Sequence, residues 1–230
     1  MMLQLLIVFW FCCTPSLSWA EQRVLVLGDS NTWGSNASGP RHGDGIRWGH
    51  VLGAALPEVS VIEEGRIGRR TDLGQGRAFD PSTDNMPDLI SRHMPFDLVI
   101  VMLGTNDLQI ERNHTADQVA RSAFGLAQVI SNASGYAVKP DVLLVVPPAL
   151  KTPEDGALGG IFGRQSAHLS RQLGSAFTTV FDTINDDAIM MFDAGTVIDA
   201  DGADGVHLTA LSHFRLGHAL APIAAKFLEN

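Results

Sequence analysis

Five short apolar runs, each four to six residues long, constrain the fold of this chain more than any other feature. Runs of this length that are rich in Val, Leu and Ile are typical of buried β-strands. Longer segments with helical spacing separate them, and this alternation predicts an α/β fold with helices on both faces of a parallel sheet. The five runs are Arg23–Leu27, Val59–Ile62, Leu98–Leu103, Val142–Val146 and Ile189–Phe192.

Two segments carry the clearest helical signals. Thr115-Ala-Asp-Gln118 matches a capping box, in which the Thr and Gln side chains satisfy backbone N–H groups at the start of a helix. A last helix is predicted to begin near Thr209. Both have one apolar face to pack against the sheet. The face comprises Val119, Ala123, Leu126, Ala127 and Ile130 in the first helix, and Leu216, Leu220, Ile223 and Phe227 in the last.

Residues suited to chemistry follow four of the predicted strands. Ser30 comes after the first strand and Gly68 after the second. Asn106 follows the third strand, and the segment from Asp204 to His207 follows the fifth. Because ligands bind beyond the carboxyl ends of parallel strands, these four segments are expected at one edge of the sheet.

Ser30, His207 and Asp204 are the residue types of a serine hydrolase. A serine hydroxyl is a weak nucleophile until a base takes its proton, and the base needs a partner that holds its tautomer. His207 is the candidate base and Asp204 the candidate partner, three residues apart in one short segment. The alternative for Gly28-Asp-Ser30 is a turn whose Asp or Ser caps the next helix.

An oxyanion forms when a serine attacks an ester, and it needs hydrogen-bond donors. The candidates are the N–H groups of Ser30 and Gly68 and the side-chain amide of Asn106. A glycine at position 68 would allow close approach of its backbone to the reacting carbonyl. The alternatives are turn glycines at 65 and 68, and a turn at Gly104–Asp107 chosen for geometry alone.

The arginine and tryptophan side chains near these motifs can belong either to the site or to the ordinary surface and core. Arg66, Arg69 and Arg70 either line the entrance or are solvated or ion-paired. Trp33 and Trp48 either line an apolar acyl or aryl site or belong to the core. The loops 35–45, 72–86 and 147–165 are expected to form the pocket walls.

Metal and cofactor motifs are missing from the sequence. The chain has neither a phosphate-binding Gly-x-x-x-x-Gly-Lys nor a His-Glu-x-x-His, and it also lacks the Gly-x-Ser-x-Gly elbow. The acidic stretch Asp199–Asp204 fails the EF-hand pattern at its fifth and twelfth positions, Ala203 and Ala210. We therefore expect no cofactor and no metal. The net charge of −9, without a basic stripe, argues against nucleic-acid partners.

Residues 1–20 resemble a signal peptide. An apolar run too short to span a bilayer comfortably precedes Ser18-Trp-Ala20, which has small residues at the positions a signal peptidase prefers. Both cysteines, Cys12 and Cys13, lie in this leader. We predict an exported protein, periplasmic or secreted, with a single domain over 21–230 and no stable membrane insertion after leader cleavage. A retained N-terminal anchor is the alternative.

The four blocks resemble those of the SGNH, or GDSL-like, hydrolases, in the same order along the chain. The blocks are Gly28-Asp-Ser30-Asn-Thr-Trp-Gly34, Glu63–Thr71 with Gly68, Gly104-Thr-Asn106-Asp107, and Asp204-Gly-Val-His207-Leu-Thr209. Val61–Gly65, Asp97–Asp107 and Phe192–Gly195 are most similar to the bacterial arylesterase and acyltransferase branch.

The resemblance implies a three-layer, flavodoxin-like α/β/α sandwich around a parallel sheet of about five strands. It also implies Ser30 as nucleophile, His207 as base, Asp204 as its orienting partner, and an oxyanion hole made by Ser30, Gly68 and Asn106. Some members of this branch form homo-oligomers that favour acyl transfer, so a homo-oligomer is a further expectation.

The expected function is therefore that of a serine esterase acting on small carboxylic esters, with acyl transfer as an accompanying activity. Two other substrate assignments stay open at this point: a carbohydrate O-acetylesterase acting on a glycan ester, and a lysophospholipase or thioesterase. A non-enzymatic alternative is an exported binding module in which the four motifs are only turns.

Overall fold

The computed structural model describes residues 21–72, 89, 92, 94–132, 139–151 and 158–229. Its five strands form one parallel sheet in the order β2-β1-β3-β4-β5, which confirms the predicted α/β class. The strands are β1 (Gln22–Gly28), β2 (Val59–Gly65), β3 (Leu98–Met102), β4 (Asp141–Val146) and β5 (Ile189–Asp193). The predicted leader, most of the loop 72–86 and part of the loop 147–165 lie outside the described residues.

Strand β2 differs most from its prediction, because it continues through Glu63 and Glu64 to Gly65. It lies at an edge of the sheet, and all seven of its residues are only partly buried. An edge strand has a neighbouring strand on one side only, so its side chains are less buried than those of a central strand. Charged residues can therefore continue the backbone pairing there. A pattern of apolar residues alone therefore ends this strand too early.

Helices follow the strands along the chain and pack on the two faces of the sheet. The capping box at Thr115 is confirmed: Gln118 N donates to Thr115 Oγ1 at 3.2 Å, and Thr115 N donates to Gln118 Oε1 at 2.8 Å. Within the described ranges, none of the helices combines the length and apolar character that a bilayer crossing requires. The α-helices whose bounds lie within the described residues are α1 (Ser30–Trp33), α2 (Trp48–Ala55), α3 (Ala116–Ser131), α4 (Arg164–Ser170), α5 (Leu173–Phe181) and α6 (Ala210–Leu228).

Two hydrophobic clusters lie on opposite faces of the sheet. On one face, Phe124 of α3 and Phe177 of α5 pack with inward side chains of β3 and β4 such as Val101. On the other, Trp48 of α2 and Leu216 of α6 pack against the alternate side chains of the same strands. This is the three-layer sandwich that the alternation of strands and helices predicts. The predicted faces of α3 and α6 both point into these clusters.

The strand register brings the chain segments that follow β1, β2 and β3 to one level. Gly28 pairs with Gly65 on one side and with Met102 on the other. Met102 of β3 pairs in turn with Val145 of β4. The segments that carry Ser30, Gly68 and Asn106 therefore leave the sheet at the same edge.

Candidate active site

The Ser30 turn is built by Asp29 and Gly34. Asp29 caps α1, since its Oδ1 accepts from Asn31 N at 2.9 Å. Gly34 ends the helix in the left-handed region with φ 92°, and its N–H donates to Ser30 O. This single helical turn places Ser30 two residues beyond the end of β1, where it is 5% exposed. The proposed capping alternative for this motif is thus true of Asp29 and leaves the Ser30 hydroxyl available.

The Asp204–His207 segment is a compact turn held by one carboxylate. Asp204 Oδ1 accepts from the backbone N–H groups of Val206 and His207, each at 2.9 Å. Its Oδ2 lies 2.6 Å from His207 Nδ1. Gly205, with φ 71°, supplies the left-handed residue that this tight turn needs. The carboxylate therefore orients the imidazole from within the same loop.

Ser30 and His207 are 177 positions apart in sequence, and their side chains meet: His207 Nε2 lies 3.0 Å from Ser30 Oγ. Because Asp204 can only accept at Nδ1, that nitrogen carries the proton and Nε2 is left as an acceptor for the serine hydroxyl. The three side chains form one hydrogen-bonded chain. This is the geometry that activation of a serine nucleophile requires.

Asp204 is suited to remain ionised beside His207. Burial alone would raise its pKa, but hydrogen bonds from His207 and Val206, with the nearby imidazole, outweigh it and lower the pKa below 3.8. A carboxylate that stays charged can stabilise the imidazolium that forms when His207 takes a proton.

Asn106 begins a short 3₁₀-helix after β3, and its amide is held on three sides. Its Nδ2 donates to Asp29 Oδ2 at 3.2 Å and to Arg69 O at 3.1 Å, while Gln109 Nε2 donates to its Oδ1 at 3.1 Å. The orientation of the amide is thereby settled by its neighbours. To serve an oxyanion, the Nδ2 group must share or exchange one of these two acceptors.

Gly68 lies in the turn after β2, with φ 78° in the left-handed region that favours glycine. Gly65 has a different role from the turn glycine considered above, because it is the last residue of β2. A Cβ at this position would lie 2.2 Å from Trp33 N. Gly65 therefore permits the close approach of β2 to helix α1.

Arg69 and Arg70 do not lie free in solvent, since they are only 2% and 5% exposed. Arg69 Nη1 donates to Gly28 O at 2.8 Å and also to Glu64 O. Arg70 pairs with Asp72 at 3.3 Å. Ion pairing is thus correct for Arg70, whereas Arg69 bridges the carboxyl ends of β1 and β2 beneath the site.

The two tryptophans separate into different environments. Trp48 is fully buried in the cluster under α2 and α6, so the core interpretation is the correct one for this residue. Trp33 is half-buried, and the Arg41 guanidinium lies 4.6 Å from its ring centre. His213 is also fully buried, and its Nδ1 accepts from Trp48 N at 3.3 Å.

Two buried carboxyl groups lie next to the site, and no role in its chemistry was predicted for either from the sequence. Asp29 is 1% exposed, and burial raises its pKa from 3.8 to about 6. Asp107 is equally buried, accepts from Thr71 N at 3.2 Å, and has a pKa that burial also raises. Their positions directly before Ser30 and directly after Asn106 were the only sequence signal that could have identified them.

The chain is similar to a known protein family and to a curated relative. The family model described as "GDSL-like Lipase/Acylhydrolase family" matches residues 26–213. An arylesterase from Vibrio mimicus is 34% identical over 110 residues, which are 46% of this chain and 48% of that protein. The chain thus aligns with about half the length of this curated relative.

Solved structures match over nearly the whole chain. A carbohydrate acetylesterase family member from Sinorhizobium meliloti is 30% identical with a TM-score of 0.82, covering 91% of this chain and 100% of that one. An aryl esterase from M. smegmatis is 31% identical with a TM-score of 0.77, covering 90% and 99%. The family match, the fold and these relatives together lead to one conclusion: the chain belongs to the GDSL-like lipase/acylhydrolase family.

Proposed function

We propose that this protein is a serine esterase that hydrolyses small carboxylic esters, aryl esters among them, through an acyl-enzyme on Ser30. The observation that carries the proposal is the hydrogen-bonded chain from Ser30 Oγ through His207 to Asp204, with distances of 3.0 Å and 2.6 Å. Arylesterases among the relatives support the choice of substrate class.

Acylation begins when Ser30 Oγ attacks the ester carbonyl carbon and His207 Nε2 takes the hydroxyl proton. The carbonyl π electrons move to oxygen, giving a tetrahedral oxyanion, and Asp204 stabilises the imidazolium. When the intermediate collapses, the carbon–oxygen bond to the leaving group breaks. His207 gives its proton to the departing alcohol or phenol, and the acyl group stays on Ser30.

The oxyanion is assigned to the N–H groups of Ser30 and Gly68 and to the Asn106 amide. Donors held near the reacting carbonyl stabilise the transition state by binding the charge that develops on its oxygen. The contacts of Asn106 with Asp29 and Arg69 support this assignment, since they hold its amide in one orientation, and Nδ2 shares or exchanges one of them when the oxyanion forms. The sequence-based assignment of Gly68 stays a prediction.

Deacylation repeats the same steps with water as nucleophile. His207 takes a proton from water, the hydroxide attacks the acyl carbon, and the carboxylic acid leaves as Ser30 regains its proton. An alcohol that enters in place of water gives acyl transfer to that alcohol. This second activity is part of the proposal.

A carbohydrate acetyl ester is the second candidate substrate. It is favoured by the carbohydrate acetylesterases from Sinorhizobium meliloti, which cover at least 89% of this chain at 30% and 33% identity. Both candidates use the same chemistry at Ser30 and differ only in the alcohol that leaves.

Export is proposed separately, on the sequence of residues 1–20 alone. N-terminal sequencing of the mature protein from a cell that expresses the full chain should begin at Glu21. A mature N-terminus that still contains the apolar run would instead favour a retained anchor. Homo-oligomerisation also stays a prediction, which light scattering of the purified protein would test.

A fluorophosphonate probe tests the serine mechanism directly. We expect it to label the wild-type protein and to leave Ser30→Ala unlabelled. Ser38→Ala, which replaces an exposed serine outside the site, is the control and should be labelled like the wild type. Hydrolysis of p-nitrophenyl acetate should follow the same pattern. Undiminished turnover by Ser30→Ala would refute the proposal.

The substrate class is tested by rates on three esters: p-nitrophenyl acetate, an acetylated xylose and a long-chain p-nitrophenyl ester. High kcat/KM on the aryl acetate alone supports an arylesterase. Comparable or greater kcat/KM on acetylated xylose favours the carbohydrate ester. Preference for the long chain would contradict both.

A further inference from the structure

Asn31 lies next to Ser30 on helix α1, yet its side chain is directed to the histidine loop. It is 2% exposed. Its Nδ2 donates to Val206 O at 3.2 Å, and Leu208 N donates to its Oδ1 at 3.1 Å. The two partners are the backbone groups on either side of His207. The amide therefore binds the backbone of this loop through one donor and one acceptor.

The orientation of the amide follows from these contacts. Only one placement puts the NH₂ group against a carbonyl and the amide oxygen against an N–H. A buried amide with both ends satisfied is a strong and directional connection, because unmaking either bond leaves a buried polar group unpaired. Asn31 is thus a specific connector between two segments that are far apart in sequence.

The Asp204–His207 unit needs such a connector. Its internal hydrogen bonds set the imidazole relative to Asp204, but they do not set its distance from Ser30. Other bonds hold this loop to different parts of the chain: Lys151 N donates to Gly205 O at 3.0 Å, and His42 Nε2 lies 3.3 Å from Leu208 O. Asn31 is the residue adjacent to Ser30, and its amide joins the histidine loop to the turn that carries the nucleophile.

We infer that Asn31 is a positioning residue, which holds His207 at hydrogen-bond distance from Ser30 by bonding the backbone on both sides of the histidine. This inference rests on the roles proposed for Ser30 and His207. It assigns no contact with substrate to Asn31. Its effect passes entirely through the imidazole.

Asn31→Leu tests the inference, since Leu branches at Cγ as Asn does and can make neither bond. A misplacement of about 1 Å at a reacting group can cost 10²-fold in rate, so we expect kcat on p-nitrophenyl acetate to fall about 10- to 100-fold. KM should stay within about twofold, because the substrate contacts are unchanged. Labelling by a fluorophosphonate should slow by a similar factor, as it needs the same proton transfer.

Two further variants separate positioning from general damage to the fold. Asn31→Ala removes the same bonds without placing apolar atoms beside Val206 O and Leu208 N. It should lower kcat by a similar factor, and it replaces Asn31→Leu in the test if the Leu variant does not fold. Thr32→Ala is the matched control, since Thr32 is buried on the same turn and its hydroxyl has no hydrogen-bond partner among the described contacts. It should keep near-normal kcat.

A double-mutant cycle supplies the decisive readout. In a His207→Ala background, adding Asn31→Leu should change the residual rate by less than about twofold, because the residue it positions is gone. An equal fold-loss in both backgrounds would overturn the inference, as would full kcat in both folded Asn31 variants with only a lowered Tm. If Ser30→Ala or His207→Ala kept full activity, the proposed function itself would fail first.

Discussion

We expect the stability of this protein to depend on pH through the buried carboxyl of Asp29. Its carboxyl is 1% exposed, and burial raises the pKa from 3.8 to about 6. At about 1.36 kcal/mol per pH unit, that difference corresponds to about 3 kcal/mol of unfolding free energy. The perturbation is Asp29→Asn, which removes the titrating group and keeps the side-chain shape.

The sign follows from the direction of the shift. The folded protein binds the Asp29 proton more tightly than the unfolded chain, so this contribution to stability is fully present below about pH 3.8. It is lost as the pH rises through about 6. The unfolding free energy of the variant minus that of the wild type should therefore increase by about 2–3 kcal/mol between pH 4 and pH 7.5.

At any single pH, the difference in unfolding free energy between Asp29→Asn and the wild type says less about the titration of Asp29. Asp29 accepts from Asn31 N with one oxygen and from Asn106 Nδ2 with the other, whereas an amide offers one acceptor oxygen. One of these bonds is lost in the variant, which lowers its stability by a nearly constant amount, of order 1–3 kcal/mol. The pH dependence isolates the titration from this loss.

Urea unfolding at several pH values between 4 and 7.5, followed by tryptophan fluorescence, measures the required free energies. Ser38→Ala is the control, because Ser38 is exposed and its substitution removes no titratable group, so it should give a difference that is flat with pH. A difference for Asp29→Asn that is also flat, within about 0.5 kcal/mol, would refute the reasoning, since it would mean that burial does not disfavour the charged carboxyl.

Two other predictions follow from the site and its support. Asn106→Ala should lower kcat by about 10²–10³-fold with little change in KM, because it removes a proposed oxyanion donor; near-normal turnover in steady-state assays would contradict that role. Gly65→Ala should destabilise the fold by about 1–3 kcal/mol or more in urea unfolding, since its Cβ would lie 2.2 Å from Trp33 N. Gly125→Ala in α3 is the matched control: a Cβ there meets nothing within 4 Å, so it should stabilise by about 0.5–1 kcal/mol. Equal effects of the two glycine variants would show that the close approach at Gly65 is unimportant.

The strands and the longest helices were predictable because each is encoded locally. The apolar runs that became β1, β3, β4 and β5 are short stretches that can lower their free energy only by burial, so composition marks them within one residue at each end. The capping box at Thr115 likewise depends on residues three positions apart. Where environment decides, as at the edge strand β2, the prediction ended at Ile62 and the strand continued to Gly65.

The supporting residues of the site could not be found in the same way. Arg69, Asp29 and Asn31 are polar types that are mostly exposed in proteins, so their sequence alone favours a surface position. All three are at most 2% exposed, and each has a hydrogen-bond partner in a segment distant along the chain. Those partners, such as Gly28 O for Arg69 and Val206 O for Asn31, become neighbours only after the sheet has formed.

By itself the sequence determined the α/β class, the order of its main elements and the residue types that serine chemistry needs, because hydrophobic periodicity and short motifs act over a few neighbouring positions. Only the tertiary structure decided that Gly28, Gly65 and Met102 end level with one another, and that the His207 imidazole lies 3.0 Å from the Ser30 hydroxyl. The physical reason is that register and long-range hydrogen bonds are properties of the packed sheet as a whole. A distance between residues 177 positions apart has no local signature.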